Sequence, residues 1–184
     1  MAGFLPSIPA GALVRLPVQA VLAVALALAV VPARASDDRL AVLPYTLSVI
    51  EPFRVASVTG GTGVLLTVGE KDVDPEATQP QVIVTYTQTS APRSDLKRIA
   101  DVVLNAVGDD VRVASQEAAP FAGLDGLATK GALVENGVEK GFAHWVAYTG
   151  DGVPIQFLGT AAEERYGVLG GAIEAIAASI RLKQ

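Results

Sequence analysis

The chain has 184 residues, of which 14 are basic and 19 are acidic, so its formal net charge is −5 at neutral pH. This acidity argues against nucleic acids and anionic membrane surfaces as partners. The absence of cysteine excludes thiol catalysis and cysteine-ligated iron–sulfur or zinc sites, and a single histidine leaves transition metals only a carboxylate-dominated donor set. We therefore expect no metal site and no cofactor.

The first 35 residues have the pattern of a secretory signal peptide. An apolar stretch from Ala20 to Val31 is followed by Pro32 and then by Ala33-Arg34-Ala35, whose small residues suit signal peptidase. The stretch is shorter than the roughly 20 apolar residues that a membrane-spanning helix needs. We therefore expect cleavage after Ala35 and no stable membrane insertion of the mature chain. The alanine- and glycine-rich composition is typical of bacterial proteins, so we expect a periplasmic location, with secretion as the alternative.

The predicted mature chain, residues 36–184, has the length of one domain. Its 149 residues can bury a core without the help of disulfides. Cleavage removes Arg15 and Arg34 but no acidic residue, so 12 basic residues remain against 19 acidic ones and the net charge becomes −7. This balance is typical of a soluble domain.

The first half of this domain predicts strands followed by one helix. Alternating apolar residues predict strands at 45–50, 53–58, 63–68 and 81–89. The Gly60-Gly61 pair predicts a hairpin turn between the second and third of these. Residues 94–108 change to helical spacing, with Ser94 as the predicted N-cap and Gly108 as the predicted end.

The second half predicts four strands followed by a long helix. The strands are predicted at 111–117, 125–135, 138–149 and 153–159, and the helix at 161–181. Asn136-Gly137 is a strong hairpin signal, because both residues tolerate positive φ. Thr160 and Glu163 have the spacing of a capping box.

The long helix carries a single apolar stripe, which must pack on the sheet. The stripe consists of Tyr166, Leu169, Ile173, Ile176 and Ile180. Gly170 and Gly171 are expected to permit a close approach between this helix and the sheet. The order of elements predicts an α+β domain, an antiparallel β-sheet flanked by helices.

Several segments together resemble a known family. Residues 45–53 read Tyr-x-Leu-Ser-Val-x-x-Pro-Phe, residues 121–126 read Phe-Ala-Gly-Leu-Asp-Gly, and residues 176–181 read Ile-Ala-Ala-Ser-Ile-Arg. Over nearly all of 45–182 this pattern resembles the PsbP/Mog1-like α/β/α sandwich of exported bacterial proteins. It departs from the family at Phe53-Arg54, where a glycine-tryptophan pair is expected. The resemblance implies an accessory or binding protein and supplies no catalytic residues.

His144 is the main candidate for chemistry. The Asn136-Gly137 turn places it opposite Thr129, and a two-residue turn at Asp151-Gly152 places it opposite Gly159 on its other side. His144 then shares an apolar face with Phe142, Val146, Tyr148, Leu127, Phe157 and Ile155. A three-residue turn at 150–152 would instead exchange the faces of the last strand.

Two interpretations of His144 follow from this placement. The favoured one is a hydrogen-bonded structural residue. The alternative is a small ligand-binding pocket formed by His144, Thr129 and Tyr148. The neighbouring Trp145 is predicted to lie in the core beneath a helix.

Other possible sites have weaker patterns. Asp72, Asp74 and Glu76 alternate, but a calcium-binding EF-hand loop would place glycine and glutamate where Ala77 and Ile83 stand. A solvated loop is therefore favoured over a loose cation site. No Gly-x-Ser-x-Gly motif selects a nucleophilic serine.

Three functions remain open at this point. The first is a periplasmic, non-enzymatic accessory protein that acts through a protein partner or a ligand cleft. The second is a small hydrolase that uses His144. The third is a carrier of a small ligand or cation.

Overall fold

A seven-stranded antiparallel sheet dominates the structure. The computed structural model describes residues 38–69, 79–86 and 95–183. Within these ranges the chain forms β1 (Tyr45–Thr46), β2 (Phe53–Thr59), β3 (Gly63–Val68), β4 (Gln81–Tyr86), α1 (Leu96–Val107), β5 (Asp109–Phe121), β6 (Leu124–Glu135), β7 (Val138–Tyr148), β8 (Pro154–Ala162), α2 (Glu163–Ser179) and β9 (Arg181–Leu182). The predicted α+β class is confirmed. The predicted signal peptide, Ser94 and the acidic loop at 72–76 lie outside the described residues.

The strands of the large sheet follow the order β2-β3-β4-β8-β7-β6-β5, and all neighbours are antiparallel. Strand β8 joins the two halves of the chain by pairing with β4, for example through Val84 and Phe157. On the other side of β8, strands β7, β6 and β5 follow one another as a meander.

The predicted strand at 45–50 is wrong beyond Thr46. Strand β1 pairs with β9 in a separate two-stranded sheet, and β9 has only two residues to offer. Past that pair, the amide of Ser48 donates to the Ser179 hydroxyl, 2.9 Å away, instead of to a strand carbonyl. The short partner therefore ends the strand.

The β6–β7 hairpin is confirmed. Asn136 and Gly137 both have positive φ, at 51° and 78°, and Glu135 pairs with Val138. His144 consequently lies opposite Thr129, as predicted.

The predicted register on the other side of His144 is wrong. His144 pairs with Leu158, and Gly159 pairs with Ala143. The reason is a turn of three residues, 150–152, which the side chain of Thr149 closes. The Thr149 hydroxyl oxygen lies 3.0 Å from both the backbone nitrogen and the backbone oxygen of Val153.

This shift of one residue exchanges the two faces of β8. Phe157 and Ile155 move to the face of Trp145, and Gln156 and Leu158 come to lie beside His144. The surroundings of His144 are therefore more polar than the predicted ones.

The two helices cover opposite faces of the sheet. Leu104 of α1 packs with Leu133, Phe142 and Leu158. Helix α2 packs on the residues that alternate with these, and its Ile173 belongs to the larger core, with Ala143 and Phe157. The result is the expected α/β/α arrangement.

Close packing of α2 depends on glycines of the sheet. A Cβ atom on Gly141 would lie 2.5 Å from Cγ of Tyr166, and one on Gly159 would overlap the side chain of Ile173. The prediction that Gly170 and Gly171 permit the close approach of α2 to the sheet is wrong. The atoms nearest to a Cβ on Gly170 would belong to Tyr166 of its own helix, and a Cβ on Gly171 would meet open space.

Both helix starts differ from the prediction. Helix α2 begins at Glu163, and its N-cap, Ala162, has no side-chain hydrogen bond. Strand β8 continues through Ala162, so Thr160 is a buried strand residue and forms no capping box. Helix α1 is capped by Asp95, which accepts a hydrogen bond from the Lys97 amide at 3.0 Å, and it ends at Gly108 as predicted.

Candidate functional site

His144, the predicted candidate for chemistry, is enclosed on the α1 face of the sheet. Its side chain has no exposed surface, and Nε2 lies 3.4 Å from Oε1 of Gln156. Nδ1 has no hydrogen-bond partner among the described residues. Burial lowers the pKa of His144 to about 4, partly opposed by the contact with Gln156. The ring is therefore neutral near neutral pH.

Thr129 lies beside His144 and belongs to a chain of polar contacts. Its hydroxyl accepts a hydrogen bond from Nε2 of Gln116 at 3.1 Å. Oε1 of Gln116 in turn accepts from Lys97 of α1 at 2.9 Å. These contacts connect the first helix to the buried centre of the sheet.

Tyr148 does not join this group. It lies on the same face of β7 as His144 but four residues further along, which is about 13 Å in a strand. The structure therefore brings two of the three predicted site residues together and leaves the third at the end of the strand.

A second site, which the sequence did not reveal, lies on the α2 face. Helix α2 rests on β7 and β8 and leaves uncovered the same face of the outer strand β5 and part of that of β6. We call the space between α2 and these two strands the groove. It contains two cavities, one beside each half of α2.

The cavity beside the first half of α2 has a volume of about 460 Å³. Its polar wall includes Arg112, Lys130, Glu163 and Tyr166. We call it the charged cavity. Arg112 also forms an ion pair with Glu139 at the rim.

The cavity beside the second half of α2 has a volume of about 350 Å³. Its wall includes Pro120, Phe121, Trp145, Ala175 and Ala178. We call it the tryptophan pocket. The Trp145 ring packs edge-on against Phe157, with the ring centres 5.5 Å apart.

An ion pair separates the two cavities. Nζ of Lys130 lies 2.7 Å from Oε1 of Glu174 and 5.8 Å from the centre of the Trp145 ring. Glu174 lines both cavities. A ligand that fills either cavity therefore contacts this carboxylate.

Tyr166 contributes a hydroxyl to the same region. Its ring stands over Gly141, and its hydroxyl has no hydrogen-bond partner among the described residues. Burial, together with the negative charge of Glu174, raises the pKa of Tyr166 to about 12. The phenol therefore stays protonated and remains a donor.

The sequence held one signal of this site. Strand alternation places Ala128, Lys130 and Ala132 on the face of Trp145, so a lysine interrupts a face that was expected to be covered. Trp145 itself is only partly buried, although it was predicted to lie beneath a helix. The reason is that α2 runs over β7 and β8 and stops short of β6.

The described residues contain no cluster of three or more histidine, aspartate or glutamate side chains placed to hold a metal ion. In the same ranges, none of the helices is long and apolar enough to cross a bilayer.

Neither a protein-family model nor a curated protein sequence matches this chain. Several solved structures match it. LpqN of Mycobacterium tuberculosis, which is involved in cell envelope biogenesis, matches with a TM-score of 0.57 at 15% identity, over 76% of this chain and 83% of LpqN. The cyanobacterial PsbP of Synechocystis matches with a TM-score of 0.53 at 17% identity, over 81% of this chain and 91% of the PsbP chain.

The Ran-binding protein Mog1p of Saccharomyces cerevisiae matches with a TM-score of 0.52 at 7% identity, over 76% of this chain and 90% of the Mog1p chain. The chain has the PsbP/Mog1-like fold. At such low identity the likeness establishes the fold alone. The PsbP/Mog1-like fold thus confirms the resemblance found in the sequence, and the function has to be argued from the groove.

Proposed function

We propose that this chain is an exported, non-enzymatic accessory protein that binds a protein partner in the groove. The observation that carries the proposal is the partly exposed Trp145 at the wall of an apolar pocket, next to the Lys130–Glu174 ion pair. Protein interfaces concentrate their binding energy in such aromatic residues surrounded by polar ones. Among proteins of this fold, Mog1p is a Ran-binding protein, which is in keeping with a binding role.

The face of the sheet suits a partner better than its edge. Strand β5 is an edge strand of 13 residues, and such edges tend to attract other strands. However, β5 is interrupted by irregularities at 109–112 and 113–115, and Pro120 can donate no backbone hydrogen bond. These features discourage strand addition and favour the groove.

The expected location is the periplasm. The signal-peptide pattern at 1–35 and the mature net charge of −7 support export as a soluble protein. LpqN, with the same fold, is involved in cell envelope biogenesis, which agrees with this location.

A hydrolase that uses His144 has less support. A general base must lie within hydrogen-bonding reach of the proton that it removes. The His144 ring has no exposed surface, and it contacts an amide oxygen. We therefore assign His144 to the structure rather than to catalysis. No observation on the described residues favours a cation carrier.

Site-specific photo-crosslinking in the native periplasm tests the proposal. A photoreactive amino acid replaces Ala175, an exposed residue of the tryptophan pocket, or Val102, an exposed residue of α1 on the opposite face. We expect a discrete crosslinked partner from position 175 and none from position 102. Equal crosslinking at both positions, or none at 175, would overturn the proposal.

A further inference from the structure

The chemistry of the groove indicates what kind of segment occupies it. We propose that the partner inserts an apolar side chain into the tryptophan pocket and places a neighbouring lysine or arginine on Glu174. This inference rests on the proposed function, and it specifies the partner's side chains.

The tryptophan pocket calls for an apolar side chain. Pro120, Phe121, Trp145 and the alanines of α2 form its wall, and Glu174 is the charged residue at its border. A cavity of about 350 Å³ has room for a large aliphatic or aromatic side chain. Such a side chain would remove the exposed part of the Trp145 ring from water, which is the typical source of affinity at an anchor residue.

The balance of charge around the groove favours a basic partner. The charged residues at the two cavities are the acidic Glu163 and Glu174, with Glu139 at the rim, and the basic Arg112 and Lys130. Both of these cations already have a carboxylate partner. The excess of acidic side chains attracts positive charge and repels an acidic segment.

Glu174 is the residue best placed to receive that charge. Its side chain is 45% exposed, and its contact with Lys130 uses only Oε1. A carboxylate accepts about four hydrogen bonds, so a second cation can bind without displacing the first. Lys130 is also held by the face of Trp145.

The position of Glu174 also sets the spacing within the partner. Because Glu174 borders the tryptophan pocket, a single segment can supply both the apolar and the basic side chain when they project from one of its faces. Residues two apart in a strand, or three or four apart in a helix, satisfy this requirement.

The probe is a library of short randomised peptides, displayed on phage and selected on the full mature chain. We expect enrichment of peptides in which an apolar residue and a lysine or arginine share one face. A selected peptide should bind Glu174→Gln at least about tenfold more weakly than the parent chain. It should bind Asp101→Asn, which removes the same charge from α1 on the opposite face, with unchanged affinity.

Two further measurements keep the result interpretable. The melting temperature of Glu174→Gln shows whether the variant is folded. For the parent chain, raising NaCl from about 0.05 M to about 0.5 M should weaken binding, because the contact is between partly exposed charges.

The outcomes separate the two proposals. Enrichment of acidic peptides, or equal binding to Glu174→Gln and the parent chain, overturns this inference. If position 175 still crosslinks a partner in that case, the proposed function stands without it. If position 175 crosslinks nothing and no peptide is enriched, both fail.

Discussion

Nε2 of His144 lies 3.4 Å from Oε1 of Gln156, across the neighbouring strands β7 and β8. This contact exists because the three-residue turn at 150–152 shifts Gln156 onto the face of His144. It holds the neutral ring in place under α1 but compensates a positive charge on it only in part. The pairing therefore makes His144 a source of acid sensitivity.

We expect the protein to lose stability as the pH falls from about 6.5 to about 4. The pKa of His144 is about 4 in the folded chain, against an ordinary value of 6.5. The unfolded chain therefore takes up the proton first. The stability from the neutral ring is complete above pH 6.5, and about 3 kcal/mol of it is lost by pH 4.

Urea denaturation between pH 7 and pH 4 measures this effect. The control is His144→Gln, which does not titrate in this range, so that the contribution of carboxylates cancels in the comparison. The variant should lose less stability over the interval. Equal losses in the two proteins would show that His144 is not responsible.

Substitution of the sheet glycines should disturb the packing of α2. In Gly159→Ala the new methyl group overlaps Ile173, so we expect a loss of about 1–3 kcal/mol. Gly171→Ala is the matched control, because it adds the same group in open space within α2 and should stabilise by roughly 0.5–1 kcal/mol. Thermal denaturation of both variants measures the difference. If both substitutions stabilised the protein, or both destabilised it, the result would contradict the described packing.

The buried pair Lys140–Glu135 should respond unequally to removal of its two partners. Lys140 has no exposed surface, and its Nζ lies 2.7 Å from Oε2 of Glu135, which is 24% exposed. Glu135→Ala leaves a buried ammonium without its carboxylate, so we expect a loss of roughly 3–5 kcal/mol.

Lys140→Met leaves a carboxylate that reaches water, so this substitution should hardly change the free energy of unfolding. Chemical denaturation of both single variants and of the double variant gives the comparison. Equal losses in the two single variants would mean that packing, rather than charge, dominates at this site.

Processing of the chain can be measured directly. We expect the protein recovered from the periplasm to begin at Ser36, as read from its intact mass. Ala35→Leu should block cleavage, whereas Ala20→Leu, which keeps the apolar stretch, should not. A recovered chain that retains residues 1–35 would contradict the predicted signal peptide.

Local signals in the sequence were sufficient to predict the fold and the register of one hairpin. Asn136-Gly137 determines its turn through backbone conformation alone, so Thr129 could be placed opposite His144. The next turn could not be derived in the same way, because a side chain, that of Thr149, determines its length. The capping box failed for a related reason, since pairing with β7 and β4 extends β8 through Thr160 to Ala162.

The groove could not be predicted from hydrophobic periodicity. The apolar stripe of α2 requires a sheet beneath it but does not specify which strands it covers. Because α2 covers β7 and β8, Lys130 and Trp145 are left at its flank. The register of the β6–β7 hairpin places Lys130 beside Trp145, but only the packing of α2 on the sheet brings Glu174 to them.

The pairing of β1 with β9 has a consequence for synthesis. Tyr45 is fully buried, and its strand pairs only with Arg181-Leu182 in the described structure. The ladder between these two strands cannot form until Arg181 and Leu182 have left the ribosome, long after Tyr45 has done so. Such high contact order slows folding. A nascent chain with this topology lacks the β1–β9 ladder during elongation, and such an incompletely folded chain suits the export proposed above.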